Sequence, residues 1–267
     1  MTPIGSKPFC ARNLPLLWLG GLLAIAAGCQ PTRLDENLCP LNQPPERTTI
    51  LLLDTSDPLN EKQRGVFARM VRELQEPDGP VDFRVAPGEA LVVYELPQEF
   101  GDVEPLVLVC NPGDRPDDWG WKQELTEGKQ LALAAWRRFR ERVEPLFAAR
   151  ESFAEPSSPI LEFLGVIVPR HTPSARMATD TRTHLILYSD LLQHSDALSH
   201  YGAYPPANTL PQTTGLRHLR TDLTGVEVSL YRLERSRDAR WQTAEHYYWW
   251  TQLVGAFGGE VIWQESI

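Results

Sequence analysis

Three features of the chain predict an α/β fold with a doubly wound, mostly parallel central sheet and helices on both faces. Residues 48–53 are β-branched or leucine without polar interruption, the pattern of a strand covered on both sides. Runs of this kind alternate along the chain with stripes of helical spacing, and no internal repeat interrupts the alternation. Two of the inferred strands stop on an acid beside a hydroxyl, Asp54-Thr-Ser56 and Ser189-Asp190. In parallel sheets ligands collect just beyond the carboxyl ends of the strands.

The first element lies outside the fold. Lys7 and Arg12 precede a short apolar run over residues 14–27, and small residues lead to Gly28 and Cys29, which reads as a secretory signal peptide over residues 1–28. Ile25-Ala-Ala-Gly28-Cys29 resembles the lipobox of bacterial lipoproteins. That resemblance implies an acylated Cys29 as the new N-terminus, and Gln30 after it implies export to the periplasmic face of the outer membrane. Residues 29–47, with Pro40, Pro44 and Pro45, then read as a tether between lipid and domain. Cys39 and Cys110 remain as one possible disulfide pair in an oxidising compartment, with two free thiols as the alternative.

The domain is expected over residues 48–267. After the first strand, Asp57 reads as an N-cap with Pro58 at the first helical position, and Val66, Phe67, Met70, Val71 and Leu74 form a buried stripe. Strands are expected at 81–86 and 90–96 around the turn at Pro87-Gly88, and a third apolar run spans 105–110. Residues 115–156 read as a helical insertion with a stripe of Leu125, Leu133, Trp136, Phe139, Val143 and Phe147, which Pro145 kinks or ends. Arg137, Arg138, Arg140 and Arg142 occupy its other side, read as a solvated face rather than a patch for anionic lipid.

Ser157-Ser158-Pro159 signals a further helix, which Pro169 should stop. A strand at 183–188 follows, then a helix from Leu191 to about His200, and a surface loop insertion at 201–225. A strand at 225–233, an aromatic-rich helix from about Arg240 to Phe257 closed by Gly258-Gly259, and a short strand at 261–263 complete the chain. Five consecutive ring-bearing residues, His246 to Trp250, cannot all face one core, so some must meet an insertion, another chain or solvent.

The chain holds 26 basic and 35 acidic residues. Residues 1–28 carry two basic and no acidic side chains, so the remaining 239 residues have a net charge of −11. A chain this acidic is a poor binder of nucleic acid.

The acid-and-hydroxyl strand ends, with Ser157 and Ser158 opening a helix between them, gather hard oxygen donors on one rim, suited to Mg²⁺ or a similar divalent ion. This ordering resembles the von Willebrand factor A domain, a Rossmann-type fold with a metal-ion-dependent adhesion site at the strand ends. The resemblance covers most of residues 48–265. It implies metal ligation by Asp54 and Ser56 in the first loop, Ser157 or Ser158 in the second, and Asp190 in the third. Pro58 stands where the family has its final serine, so one oxygen ligand is missing and Asp57 would have to compensate. On the other reading, Ser56, Asp57 and Ser158 simply cap helices.

The function expected is that of an envelope lipoprotein binding another protein, through a divalent metal or as a metal-independent scaffold. The rival hydrolase reading makes Ser56 or Ser189 a nucleophile with His194 or His184 as base. No Gly-x-Ser-x-Gly elbow surrounds either serine, and the histidines show no zinc-ligand spacing, so catalysis is not expected.

Overall fold

The computed structural model describes residues 34–41, 43–74, 84–96, 103–113, 128–147, 157–172 and 181–267. Among them six strands form one sheet: β1 (Arg47–Leu53), β2 (Ala90–Glu95), β3 (Val107–Cys110), β4 (Arg182–Ser189), β5 (Val226–Arg232) and β6 (Glu260–Ser266). Their order is β3-β2-β1-β4-β5-β6. All neighbours run parallel except β3, which is antiparallel to β2. Only residues 96–106 join those two strands, fewer than the dozen or so that a parallel crossover requires.

Strand alternation divides the core between the two faces. Ile50 and Leu52 of β1 point to one face and Leu51 and Leu53 to the other, all nearly fully buried. Helices α1 (Glu61–Glu73) and α2 (Gly128–Val143) cover the second face through Phe67, Met70, Val71, Trp136, Phe139 and Val143. Helices α3 (Ile160–His171) and α4 (Ala244–Ala256) cover the first through Phe163, Ile167, Trp250 and Leu253. Each such side chain contributes about 1.5–3 kcal/mol by leaving water. Among the described residues no helix is long and apolar enough to cross a membrane.

Several boundaries differ from the sequence reading, each for a local reason. Helix α1 begins at Glu61 rather than at Pro58, because Asn60 and Gln63 close a reciprocal capping box: Asn60 Oδ1 accepts from Gln63 N at 2.9 Å and Gln63 Oε1 from Asn60 N at 3.1 Å. Asp57 therefore caps nothing. Helix α3 passes through Pro169 to His171. In the last turn proline removes a single intrahelical donor, and Thr172 N closes the end on the Val168 carbonyl at 3.0 Å.

The helix expected from Leu191 does not form. Ser189 Oγ accepts Leu191 N and Asp190 Oδ1 accepts Leu192 N, both at 2.8 Å, and Ser195 Oγ accepts Ala197 N and Leu198 N at 3.3 Å. These side chains intercept the N–H groups a helix would use. Leu191 itself sits at φ 63°, outside the helical region.

Of the strand expected at 81–86, residues 81–83 lie outside the described residues and 84–86 are not strand; Val85 N bonds the carbonyl of Leu74 at the end of α1 instead. In the helical insertion, Leu125 lies outside the described residues and Pro145 falls in a 3-10 turn, Glu144–Phe147, that ends α2. The 201–225 segment is more than a surface loop. It carries 3-10 turns at Ala207–Gln212 and Arg217–Leu219 and buries Ala207, Leu210, Leu219 and Leu223 against the face shared by α3 and α4. The final strand runs the length of β5, with a bulge at Val228/Ser229, rather than only over 261–263.

Cys39 and Cys110 are joined by a disulfide, which ties the segment before β1 to the end of β3.

Candidate functional site

In the strand order above, β1 connects towards β2 and β4 towards β5, so the chain reverses direction across the sheet between β1 and β4. A crevice opens at such a switch point beyond the carboxyl ends of the strands. Asp54 and Asp190 are the first residues past β1 and β4, and both are buried, 3% and 4% exposed.

Hydroxyls and amides converge on Asp54. Its Oδ2 accepts from Ser189 Oγ at 2.6 Å and Ser158 Oγ at 3.1 Å, and its Oδ1 accepts Ser56 N at 3.0 Å. Ser158 is held in place by a two-residue bridge to His194, each N–H bonding the other's carbonyl at 2.8 Å. The hydroxyl of Ser158 is thus spent on Asp54 rather than on capping α3. Pro159 holds the cap position without a side-chain bond, and Gln193 Oε1 takes Leu161 N at 2.9 Å in its stead. Ser56 and Ser157 are half-buried beside this cluster in sequence.

Asp190 has fewer partners. Its Oδ1 accepts Leu192 N, and its backbone carbonyl accepts Gln242 Nε2 at 3.0 Å. Burial first, and the Asp54 charge second, push its carboxyl up to about 8, against the smaller opposing pull of the Leu192 amide and Arg235. At neutral pH the group is therefore mostly protonated. Tyr201 lies on this side as well, with its hydroxyl pushed up to about 12 by burial and then by the charge of Asp190.

Two residues that strand-end reasoning passed over complete the rim. Arg235 and Arg237 follow β5, the neighbour of β4. Arg235 Nη1 bonds the Pro58 carbonyl at 2.6 Å and Gln63 Oε1 at 3.2 Å, and its Nη2 bonds the Asp57 carbonyl at 3.2 Å. Arg237 pairs with the Asp57 carboxylate through Nη2 and with Asp238 Oδ2 through Nε at 3.0 Å. They lie three and five residues past the end of β5, beyond the strand-end position that singled out Asp54 and Asp190. A cleft of about 260 Å³ opens between Asp57, Asn60, Glu234 and the two arginines.

The histidines of the hydrolase reading are engaged elsewhere. His184 Nε2 meets Ser229 Oγ at 2.9 Å within the sheet, and His194 Nδ1 meets Ser199 Oγ at 2.9 Å. Behind the rim, the aromatic run of α4 meets the loop insertion. His246 Nε2 lies 2.9 Å from His200 Nδ1, Trp249 and Tyr204 pack edge-on to these rings, and Trp250 Nε1 donates to the Leu191 carbonyl at 2.8 Å. Burial holds His200 down to about 3 and His246 to about 4, so both rings are neutral at physiological pH. Tyr248 alone of the run is largely exposed.

The donor set fits a hard divalent ion in part. Asp54, Asp190, Ser56 and Ser158 offer oxygen in the expected order, and a second buried carboxyl that keeps its proton marks a place short of positive charge. Pro58 supplies nothing, and the carboxylate of Asp57 is committed to Arg237. Among the described residues no group of three or more histidine, cysteine, aspartate or glutamate side chains is arranged to hold a metal.

No family model matches the chain, and no curated protein matches it. Among solved structures it is similar to proximal thread matrix protein 1 from the mussel byssus, at 14% identity and a TM-score of 0.36, over 83% of this chain. The chain spans 44% of the length of that protein.

Proposed function

We propose that the protein is a bacterial envelope lipoprotein whose von Willebrand factor A-like domain binds another protein, as an adhesion or assembly module, at the rim between β1 and β4. The observation that carries this reading is the pair of buried carboxyl groups, Asp54 and Asp190, at the switch point, with the hydroxyls of Ser158 and Ser189 turned onto Asp54. Placing two carboxyl groups together out of water costs stability, and sites that keep such a cost are enriched in function. A divalent cation such as Mg²⁺ would be held by Asp54, Ser56, Ser157 or Ser158 and Asp190, and would supply a Lewis-acidic vertex for an oxygen of the partner. The protein's own part is to hold these donors dry and in register. Cys29 carries the lipid, the residues between it and the disulfide-bonded Cys39 lead from membrane to domain, and the site is a binding site without catalysis.

A photo-crosslinking side chain placed at Ser56, and separately at Ser236, tests the reading in the protein's own membranes. The same partner should be captured from both positions and lost in Asp190→Ala, while a probe at Arg138 on α2 captures none of it. Capture that is equal from all three positions removes the rim as the binding surface. Mass spectrometry of the mature N-terminus tests the anchor: a chain that begins anywhere but at an acylated Cys29 removes it.

The Arg237–Asp57 pair favours a second form of the same reading, in which the partner is bound without a metal.

A further inference from the structure

We propose that β6 is the contact strand of a symmetric dimer, pairing antiparallel with β6 of a second copy of this chain about a two-fold axis at Trp263.

The two edges of the sheet are built differently. At one edge β3 is four residues long, and its Cys110 N donates to the Asn37 carbonyl at 2.8 Å. The Cys39–Cys110 bond holds that covering segment in place. Short strands and covering segments keep an edge from pairing with other chains. At the other edge β6 has seven residues, with no proline and no lysine, and its one register shift is the bulge opposite Val228/Ser229. Ile267 turns both backbone groups towards β5, donating to the Arg232 carbonyl and accepting from Glu234 N, each at 2.9 Å. By strand alternation Trp263 and Glu265 face β5 as well, while Gln264 and Ser266 turn their backbone groups outward. Among the described residues these two outward positions have no backbone partner.

Exposed aromatic side chains flank this edge on both faces. Gln264 Nε2 donates to Thr251 Oγ1 of α4. Tyr248 stands three residues before Thr251, on the same side of the helix, and is 62% exposed. Trp263 lies on the opposite face, with the Glu265 that pairs with Arg69 of α1 at 3.8 Å, and is 44% exposed.

The occupant is a second copy because the strand is complementary to itself. Trp263 is its middle residue, so an antiparallel pair that overlaps all seven residues has its two-fold axis there. In that register Glu260 stands opposite Ser266 and Glu265 opposite Val261. No acid faces an acid, although each copy is acidic overall. The two tryptophans meet across the axis as a cross-strand aromatic pair. Two six-stranded sheets become one, with β5 standing between the new seam and β4.

Cysteine cross-linking in the protein's own membranes tests this. Because Trp263 turns its backbone groups inward, the pair on the axis is a narrow one, with Cα atoms about 4.5 Å apart and within disulfide reach. Under mild oxidation Trp263→Cys should form a covalent dimer at least about tenfold faster than Arg138→Cys on α2. Wild type, oxidised in parallel, sets the background from Cys10 and Cys29. Sedimentation equilibrium of the intact protein in density-matched detergent reads the same contact without an added cysteine. Gln264→Pro deletes an outward N–H and should weaken the dimer at least about tenfold, while circular dichroism stays that of wild type. A monomer up to about 0.1 mM, equal cross-linking at 263 and 138, or a Gln264→Pro dimer as tight as wild type overturns the proposal. So does a Trp263→Cys product of any mass other than twice the chain's, which would put another protein on the edge.

Discussion

Buried carboxyl groups sit at both ends of the same sheet, and their surroundings are opposite. At the amino ends, Glu89 just before β2 accepts Arg47 Nε at 3.1 Å, Arg47 Nη2 at 2.8 Å and Ala86 N at 2.7 Å, with acid and arginine both about 95% buried. At the carboxyl ends, Asp54 and Asp190 face each other's charge with hydroxyls and amides but no guanidinium bonded to either carboxylate among the described contacts. One end holds an ion pair that closes the structure. The other holds a charge deficit that a ligand, a metal or a proton can fill. The distinction separates a carboxylate neutralised by an arginine from a pair that is not.

The largest test of the contrast is Arg47→Ala. It strands Glu89 in the interior and should lower the unfolding free energy by about 3–5 kcal/mol in urea titrations. Adding Glu89→Gln should recover part of the loss, since the stranded charge is then gone. Asp190→Asn should act with the opposite sign, stabilising by about 1–4 kcal/mol at pH 8. The sign follows from linkage. A carboxyl raised from 3.8 to about 8 keeps its proton in the folded chain while the unfolded chain loses it, so this group makes stability fall as pH rises from about 4 to 8. The benefit of the asparagine should therefore shrink towards zero when the melts are repeated at pH 4. A flat difference across that range would place Asp190 in the same class as Glu89. The smallest effect is expected from the hydroxyls: Ser158→Ala removes one hydrogen bond to a buried carboxylate and should cost about 1–2 kcal/mol. Ser56, which meets Asp54 through its backbone N–H, should tolerate alanine within about 0.5 kcal/mol.

What the sequence made legible follows from where its signals are local. The unbroken apolar run at 48–53 and the acids that end it depend on burial and strand geometry, and the structure has β1 ending one residue before Asp54 and β4 one residue before Asp190. Helix starts were less legible because Asp57, Asn60 and Ser158 are all good caps, and only tertiary partners decide which of them caps. Arg237 takes Asp57, Asp54 takes Ser158, and Asn60 is left to close the box with Gln63. The false helix after Leu191 has the same origin, since Ser189, Asp190 and Ser195 redirect backbone N–H groups in a way that periodicity does not register. Arg235 and Arg237 went unnoticed because arginines in a polar stretch read as solvated surface until the strand order sets them beside β1 and β4.

The Cys39–Cys110 bond has a mechanical meaning. Its 71-residue separation encloses β1, α1, β2 and β3 in one covalent ring, with Asp54 inside it. Tension between any point upstream of Cys39 and any point downstream of Cys110 passes across the two sulfurs and leaves the enclosed backbone slack. Once the bond is reduced, the same pull runs through β1, the central strand, and through the turn that positions Asp54. A pull on the chain upstream of Cys39 then becomes a distortion of the turn at Asp54, so the bridge acts as a strain relief for that turn.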